Sequence, residues 1–177
     1  MDIFIIETNA EIDGFEKYQK KKFSDSNKLK QHCLAYYTAD KILENVYKIK
    51  NRDIEYENNK PILKSKEKFF SISHSGKYTA LIFSDSNCGI DIEEIKPRNF
   101  KEISERMSFK NCDTLENFYK AWTEYEAKYK LGKDYCTTVS FKNDNYQICA
   151  ACENFTEDYQ IYLKKITDFS NPENGFC

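Results

Sequence analysis

Two periodicities of apolar and polar residues run along this chain, and the switches between them divide it into elements. Asp2–Glu7 is a short β-branched, apolar run and predicts a strand. Residues 14–27 are polar and predict irregular backbone. From residue 28 onward Leu29, Cys33, Tyr36, Tyr37, Leu43, Val46 and Ile49 recur at helical spacing, with Ser24, Asp25 and Ser26 as N-cap candidates just upstream. "NRDIEYENNKP" reads as a loop with a short strand at Ile54–Glu57. After Pro61 the period becomes that of strands. Residues 69–72 are short and apolar. Residues 78–83 and 89–93 flank "SDSNC", which is turn chemistry, and predict an antiparallel hairpin.

Residues 99–107 carry Phe100, Ile103 and Met107 on one side and predict a short helix. "DTLENFYKAWTEYEAKYKLG" is the best-defined helix, with Asp113 and Glu116 at capping-box spacing and Gly132 where a C-terminal cap belongs. "YCTTVSF", "NYQICAA" and "DYQIYLKKI" predict three strands in a meander. The tail "NPENGFC" predicts loose backbone. Strands and helices mix without regular βαβ alternation, so the fold class is α+β.

The totals narrow the field. The 177 residues allow one large domain or two small ones, and 40% hydrophobic content supports a sizeable core. No apolar run reaches the roughly 18–20 residues that span a bilayer, so no membrane is expected. The N-terminal apolar stretch has acidic flanks and reads as a first strand rather than a signal peptide. A net charge of -2 gives no bulk electrostatic case for nucleic acid. Seven cysteines without a signal peptide suit a reducing, cytoplasmic setting, and an odd count argues against a complete disulfide framework. Cys149 and Cys152 form one C-x-x-C, but on a strand such positions face opposite ways and nothing nearby completes a zinc set. They read as small buried residues. The Lys-, Asn- and Ile-rich composition points to an AT-rich, bacterial genome.

The chemistry gathers around "GIDIEE". On a strand, Ile90 and Ile92 face the core while Asp91 and Glu93 share the other face. Adjacent carboxylates repel unless a cation lies between them, and a hard cation such as Mg²⁺ takes carboxylates together with water and phosphate oxygens. On this pair alone a solvated sheet face is the plainer reading. The helix shifts the balance. Phe118, Trp122, Glu126 and Lys130 are four apart and form one continuous row that begins apolar and ends in an acid and a base. Glu126 and Lys130 are placed for an ion pair at the edge of a packed interface. Glu126 offers a third carboxylate for the same metal, and Lys130 a phosphate ligand. His74 lies just before the first hairpin strand, at the open end that also holds Glu93. Its small neighbours Ser73, Ser75 and Gly76 suit a close anion. Lys60 adds a positive charge on a loop constrained by Pro61.

These residues resemble a family. "GIDIEEI", followed about 30 residues later by "WTEYEAKYKLGK", is similar to the paired motifs of the 4′-phosphopantetheinyl transferases, G-[I/V]-D-[I/V]-E and W-[S/T/C]-x-K-E-[A/S]-x-x-K. "FSISHSGKYTALIF" resembles the family's S-H-S segment and "NNKPIL" its G-K-P segment. Four pieces in order, over residues 58–133, make the resemblance specific.

It implies transfer of 4′-phosphopantetheine from coenzyme A to a serine of an acyl or peptidyl carrier protein, as in the activation of fatty-acid carriers, releasing adenosine 3′,5′-bisphosphate. By resemblance Asp91, Glu93 and Glu126 bind Mg²⁺, for which Mn²⁺ is a possible substitute. Glu126 is also the base and Lys130 the phosphate-neutralising residue. His74, Lys60 and Ser73 contact coenzyme A phosphates, with Lys28 or Lys30 as a further ligand. The resemblance also implies a compact two-lobed monomer of two similar halves, 1–88 and 89–177, with the active site between them. Basic residues Lys96, Arg98, Lys101 and Arg106 are candidates for carrier docking; an ordinary solvated helix is the plainer alternative.

Two positions depart from the pattern. Tyr125 stands where the motif has Lys, which predicts weaker phosphate affinity. Asn59 stands for the Gly of G-K-P and tolerates a left-handed turn. A Mg²⁺-dependent phosphohydrolase, or a binding module without turnover, would also use these residues.

Overall fold

The computed structural model describes residues 1–8, 14–19, 24–57, 60–154 and 158–169. Asn59 and the tail "NPENGFC" lie outside the described residues. In chain order the elements are β1 (Asp2–Glu7), α1 (Ser26–Asn45), β2 (Ile54–Glu57), β3 (Lys60–Leu63), β4 (Phe69–Ser75), β5 (Tyr78–Ser84), β6 (Cys88–Glu94), α2 (Phe100–Met107), α3 (Leu115–Leu131), β7 (Thr137–Asn143), β8 (Tyr146–Cys152) and β9 (Gln160–Lys165), with short 3-10 turns at Phe15–Tyr18 and Ile166–Phe169. The chain is α+β.

One sheet has the order β4-β5-β1-β9 and a second the order β6-β8-β7, while β2 and β3 form a separate hairpin. β1 explains why its sequence is a continuous apolar run rather than an alternation: it is buried on both sides. Phe4 and Ile6 pack with Leu34, Tyr37, Ile42 and Leu43 of α1. Ile3 and Ile5 pack with Ile90, Ile92, Ile148 and Ala150 of the second sheet. α3 covers the far side of that second sheet, where Ala127 and Leu131 meet Cys149 and Ala151. The layers therefore run α1, first sheet, second sheet, α3. Connectivity repeats as well: a strand, a helix and an antiparallel strand pair give β4-β5-β1 in one sheet and β7-β8-β6 in the other.

Both long helices are capped by their own sequence. Asp25 accepts from the Asn27 and Lys28 backbone N–H groups, as its position upstream of the periodic run predicts. In α3 the cap is Thr114, which accepts from the Asn117 N–H at 3.1 Å, one residue beyond the expected Asp113. Gly132 closes α3 with φ +81°, the left-handed geometry that glycine adopts without strain. α1 stops at Asn45, and Ile49 reaches the core from the following loop instead of from the helix.

Three expectations are corrected. Residues 78–83 and 89–93 do not form a hairpin: β5 pairs with β1 and β4, whereas β6 pairs with β8 in the other sheet. The "SDSN" turn is the crossing between sheets, and both its flanks are apolar because each strand is covered on two faces. The last three strands are not a meander, since β9 leaves the second sheet and pairs parallel with β1. Lys60 is in a strand, not a loop. Pro61 is tolerated there because β3 has one neighbour only and an unpaired side for the missing N–H.

Candidate functional site

The site is built on the free edge of β6. Backbone bonds from Ile95 N–H to Asn145 O (2.8 Å) and from Glu153 N–H to Asn87 O (3.1 Å) bracket its pairing with β8. By alternation the backbone groups of Cys88, Ile90, Ile92 and Glu94 point away from β8. Side chains, rather than another strand, satisfy four of these groups. Ile90 N–H donates to Ser71 Oγ (3.2 Å) and Glu94 N–H to Ser75 Oγ (3.0 Å). The Cys88 carbonyl accepts from Lys60 Nζ (2.9 Å) and the Ile90 carbonyl from Lys130 Nζ (3.1 Å). The alternate serines of "SISHS" thus run along β6 as hydroxyl rungs, which fixes β4 beside it.

Ser73 is the middle rung. Its hydroxyl donates to Asp91 Oδ1 at 2.7 Å and accepts from Lys130 Nζ at 2.9 Å. Lys130 Nζ also lies 2.7 Å from Asp91 Oδ1. Asp91 is 4% exposed, and its second oxygen, Oδ2, is buried with no hydrogen-bond partner. The expected Glu126–Lys130 pair is not formed within ion-pair distance: Lys130 turns to the more deeply buried carboxylate, whose charge water cannot screen.

Glu93 from β6 and Glu126 from α3 both stand near enough to Asp91 to feel its charge. Burial first, and then the charge of Asp91, hold the Glu93 carboxyl above the usual carboxylate range; the Ser75 hydroxyl, the Trp122 indole and Arg98 act in the opposite sense. Burial and Asp91 also raise Glu126, against the pull of Lys130. Negative charge is in excess here, and Glu93 and Glu126 both feel the Asp91 carboxylate. The donor set is all hard oxygen, one of them buried and unpartnered, which suits a divalent cation such as Mg²⁺. Among the described residues, however, no three acidic, His or Cys side chains are already gathered as a metal cage.

His74 precedes β5 as expected, but it lies within a strand of its own, β4. His74 is exposed, yet the protein packed around it, and then the nearby Lys130 charge, push its pKa below the ordinary histidine value. Lys60 is held by Asn87 Oδ1 and the Cys88 carbonyl, and burial lowers its pKa. Lys60 and Lys130 line one open cavity of about 530 Å³, together with Phe69, Asn87, Tyr129 and Glu153. Lys30 sits half-buried near the start of α1 and makes no hydrogen bond or ion pair among the described residues. Its neighbour Gln31 donates to the Gly76 carbonyl (2.9 Å), which ties that helix end to the β4–β5 turn.

Two residues of the site were not singled out from sequence. Gly89 allows α3 to lie against β6: a Cβ there would meet the Ala127 carbonyl oxygen at 2.1 Å. Asn87 joins Lys60 to the Leu131 carbonyl (2.8 Å) and so links β3, β6 and the end of α3. Only its turn chemistry was visible in the sequence. Tyr125, at the motif's lysine position, is exposed and its ring lies near Phe109 and Trp122. Of the basic patch, Lys96 pairs with Glu94 (2.7 Å), while the exposed Arg98 lies over Phe118, Tyr119 and Trp122 at 5.3–5.9 Å. Cys149 faces α3 and Cys152 the inter-sheet core, and the described cysteines are all free thiols.

Comparison with known families and with curated proteins returns no match. No helix among the described residues is long and apolar enough to cross a membrane.

Proposed function

We propose that this chain transfers 4′-phosphopantetheine from coenzyme A to a serine hydroxyl of an acyl or peptidyl carrier protein. The observation that carries the reading is the buried Asp91 held by Lys130 and Ser73, with Glu93 and Glu126 near enough to feel its charge and His74 near enough to feel Lys130. These are the residues that the four motif-like segments nominate, and they come from three elements far apart in sequence.

Phosphoryl transfer asks a protein for positioning and charge neutralisation more than for covalent chemistry. Asp91, Glu93 and Glu126 would hold Mg²⁺, or Mn²⁺ in its place, which supplies charge neutralisation at the pyrophosphate. Glu126 takes the proton from the carrier serine as the positioned base. The serine oxygen bonds to the phosphorus that bears pantetheine, and the bond from that phosphorus to the bridging oxygen breaks. Adenosine 3′,5′-bisphosphate leaves with the bridging oxygen, and Lys130 offsets the charge that develops there. Lys60 and Lys130 line the cavity for the nucleotide end, His74 donates a hydrogen bond to phosphate, and Lys30 reaches it from α1. The repeated strand–helix–strand–strand connectivity is in keeping with two similar lobes; the proposed enzyme is a monomer with the site between them, working in the cytoplasm.

The test is intact-mass spectrometry of an apo carrier protein incubated with this chain, coenzyme A and Mg²⁺. A gain of about 340 Da on the serine supports the transferase, and EDTA removes it. Cleaved coenzyme A without a mass gain moves the reading to a phosphohydrolase. Bound, intact coenzyme A across several carrier types moves it to a binding module.

A further inference from the structure

Lys130 occupies an unusual position for a phosphate ligand. Its Nζ makes three contacts, all directed at β4 and β6: Asp91 Oδ1 (2.7 Å), Ser73 Oγ (2.9 Å) and the Ile90 carbonyl (3.1 Å). It is the cation that neutralises Asp91, while Oδ2 of the same carboxylate stays buried and unpartnered. A carboxylate that is 4% exposed cannot leave one oxygen bare without cost unless a ligand reaches it. Glu93 and Glu126 stand near enough to feel Asp91 but do not close around it. The site thus has the donors for a divalent cation, with an ammonium group held at one of them.

We propose that Lys130 is the resident counter-ion of Asp91 and that a divalent cation binds by displacing it, with Ser73 as the residue that positions the lysine for this exchange. The inference rests on the metal-dependent transferase reading and adds an order of events to it. Before loading, the Lys130 ammonium holds the buried charge of Asp91 in place. On loading, the cation takes over Asp91, and the freed Nζ swings toward the cavity that Lys130 already lines with Lys60. One exchange then both seats the metal and delivers a positive charge to the phosphate. Ser73 sets how firmly the lysine is parked, since its hydroxyl touches both partners of the pair.

The exchange predicts that the lysine competes with the metal, and that is measurable without turnover. Mn²⁺ binding to the full chain, read by electron paramagnetic resonance with no coenzyme A present, is compared among wild type, Lys130→Gln, Ser73→Ala and Lys128→Gln. Lys128 is the control: it is on the same helix but pairs with Glu124 at 2.6 Å, so its removal takes away one charge without touching Asp91. Lys130→Gln is expected to bind Mn²⁺ about tenfold tighter, the change produced by removing a competitor worth about 1.4 kcal/mol. Ser73→Ala, which alters no charge, is expected to bind several-fold tighter, and Lys128→Gln like wild type. Lys130→Gln should also turn over more slowly despite its better metal binding. Equal tightening by Lys128→Gln, or none by Lys130→Gln and Ser73→Ala, would overturn the exchange and leave the transferase reading standing. Absence of Mn²⁺ binding in every version, with coenzyme A added as well, would overturn both.

Discussion

The backbone of α3 passes so close to Gly89 of β6 that Gly89 and Ala127 leave no room for a side chain between them. A Cβ on Gly89 would stand 2.1 Å from the Ala127 carbonyl oxygen and 2.7 Å from the Leu131 nitrogen. Both obstacles are main-chain atoms that cannot turn aside, so any side chain at 89 must push the helix away. The same helix carries Glu126 and Lys130, and the same strand carries Asp91 two residues on. Gly89→Ala is therefore expected to cost about 1–3 kcal/mol, in the range of overpacked cores, and to lower turnover beyond what the lost stability explains. Urea denaturation beside carrier-modification kinetics checks it; an unchanged midpoint would contradict the close approach.

Asp91 is both a proposed metal ligand and half of a buried pair. Asp91→Ala leaves Ser73 and Lys130 without their shared acceptor, a loss of about 1–3 kcal/mol for unsatisfied buried groups. The cleaner variants are Asp91→Asn and Glu126→Gln, which keep the shape. Glu126→Gln is expected to lose carrier modification by at least about 10²-fold, the low end of what a positioned base contributes, and to melt like wild type; Asp91→Asn, which takes a charge from the proposed cation site, is expected to lose it as well. Near-wild-type turnover of either in Mg²⁺ would remove it from the site.

His74 gives the pH test. Its folded pKa lies below the ordinary histidine value, first because of burial and then because of Lys130. The neutral ring is thus the form the fold favours. Its contribution to stability is present above the ordinary histidine range and is lost as pH falls through the lower folded value. In a carbon–proton NMR titration, His74 should titrate at lower pH than a free histidine. Lys130→Gln should raise its pKa, and adenosine 3′,5′-bisphosphate, which brings negative charge to the ring, should raise it too. A midpoint at or above the free value would separate His74 from Lys130.

Arg98 lies over three aromatic rings of α3 and is exposed, so its charge is held at a fixed place on the surface. If acidic carrier proteins dock there, Arg98→Glu with Arg106→Glu should raise the KM for the carrier about tenfold and leave the KM for coenzyme A alone. Loss of the ring contact itself is worth about 0.5–1 kcal/mol at an exposed position. An unchanged carrier KM would take the docking face elsewhere.

Much of the local structure was legible in the order of residues. The apolar run at Asp2–Glu7, the periodic segment that became α1, the short Ile54–Glu57 strand and the 100–107 helix all form where the pattern places them, within a residue or a turn. Those features depend on spacing along the chain, which is what periodicity reports. The α+β class followed from the same elements. The pairing did not. "YTALIF", "SDSNC" and "GIDIE" read as a hairpin because a turn sequence between two apolar strands carries no mark of which sheet each strand joins. β9 likewise gives no local sign of pairing with β1, a partner at the other end of the chain.

For the site, the sequence by itself nominated the chemical groups: Asp91 and Glu93 on one face of a strand, Glu126 and Lys130 on one row of a helix, and His74 among small residues. Identity and short-range spacing determine that much, because strand and helix geometry fix which side chains share a face. Only the tertiary structure decided the partners. Lys130 left its helical neighbour Glu126 for Asp91, since the buried carboxylate has no water to screen it, and Ser73 proved to be a bridge inside the site. Those choices are made by burial and by distances between elements, and neither is written in the local sequence.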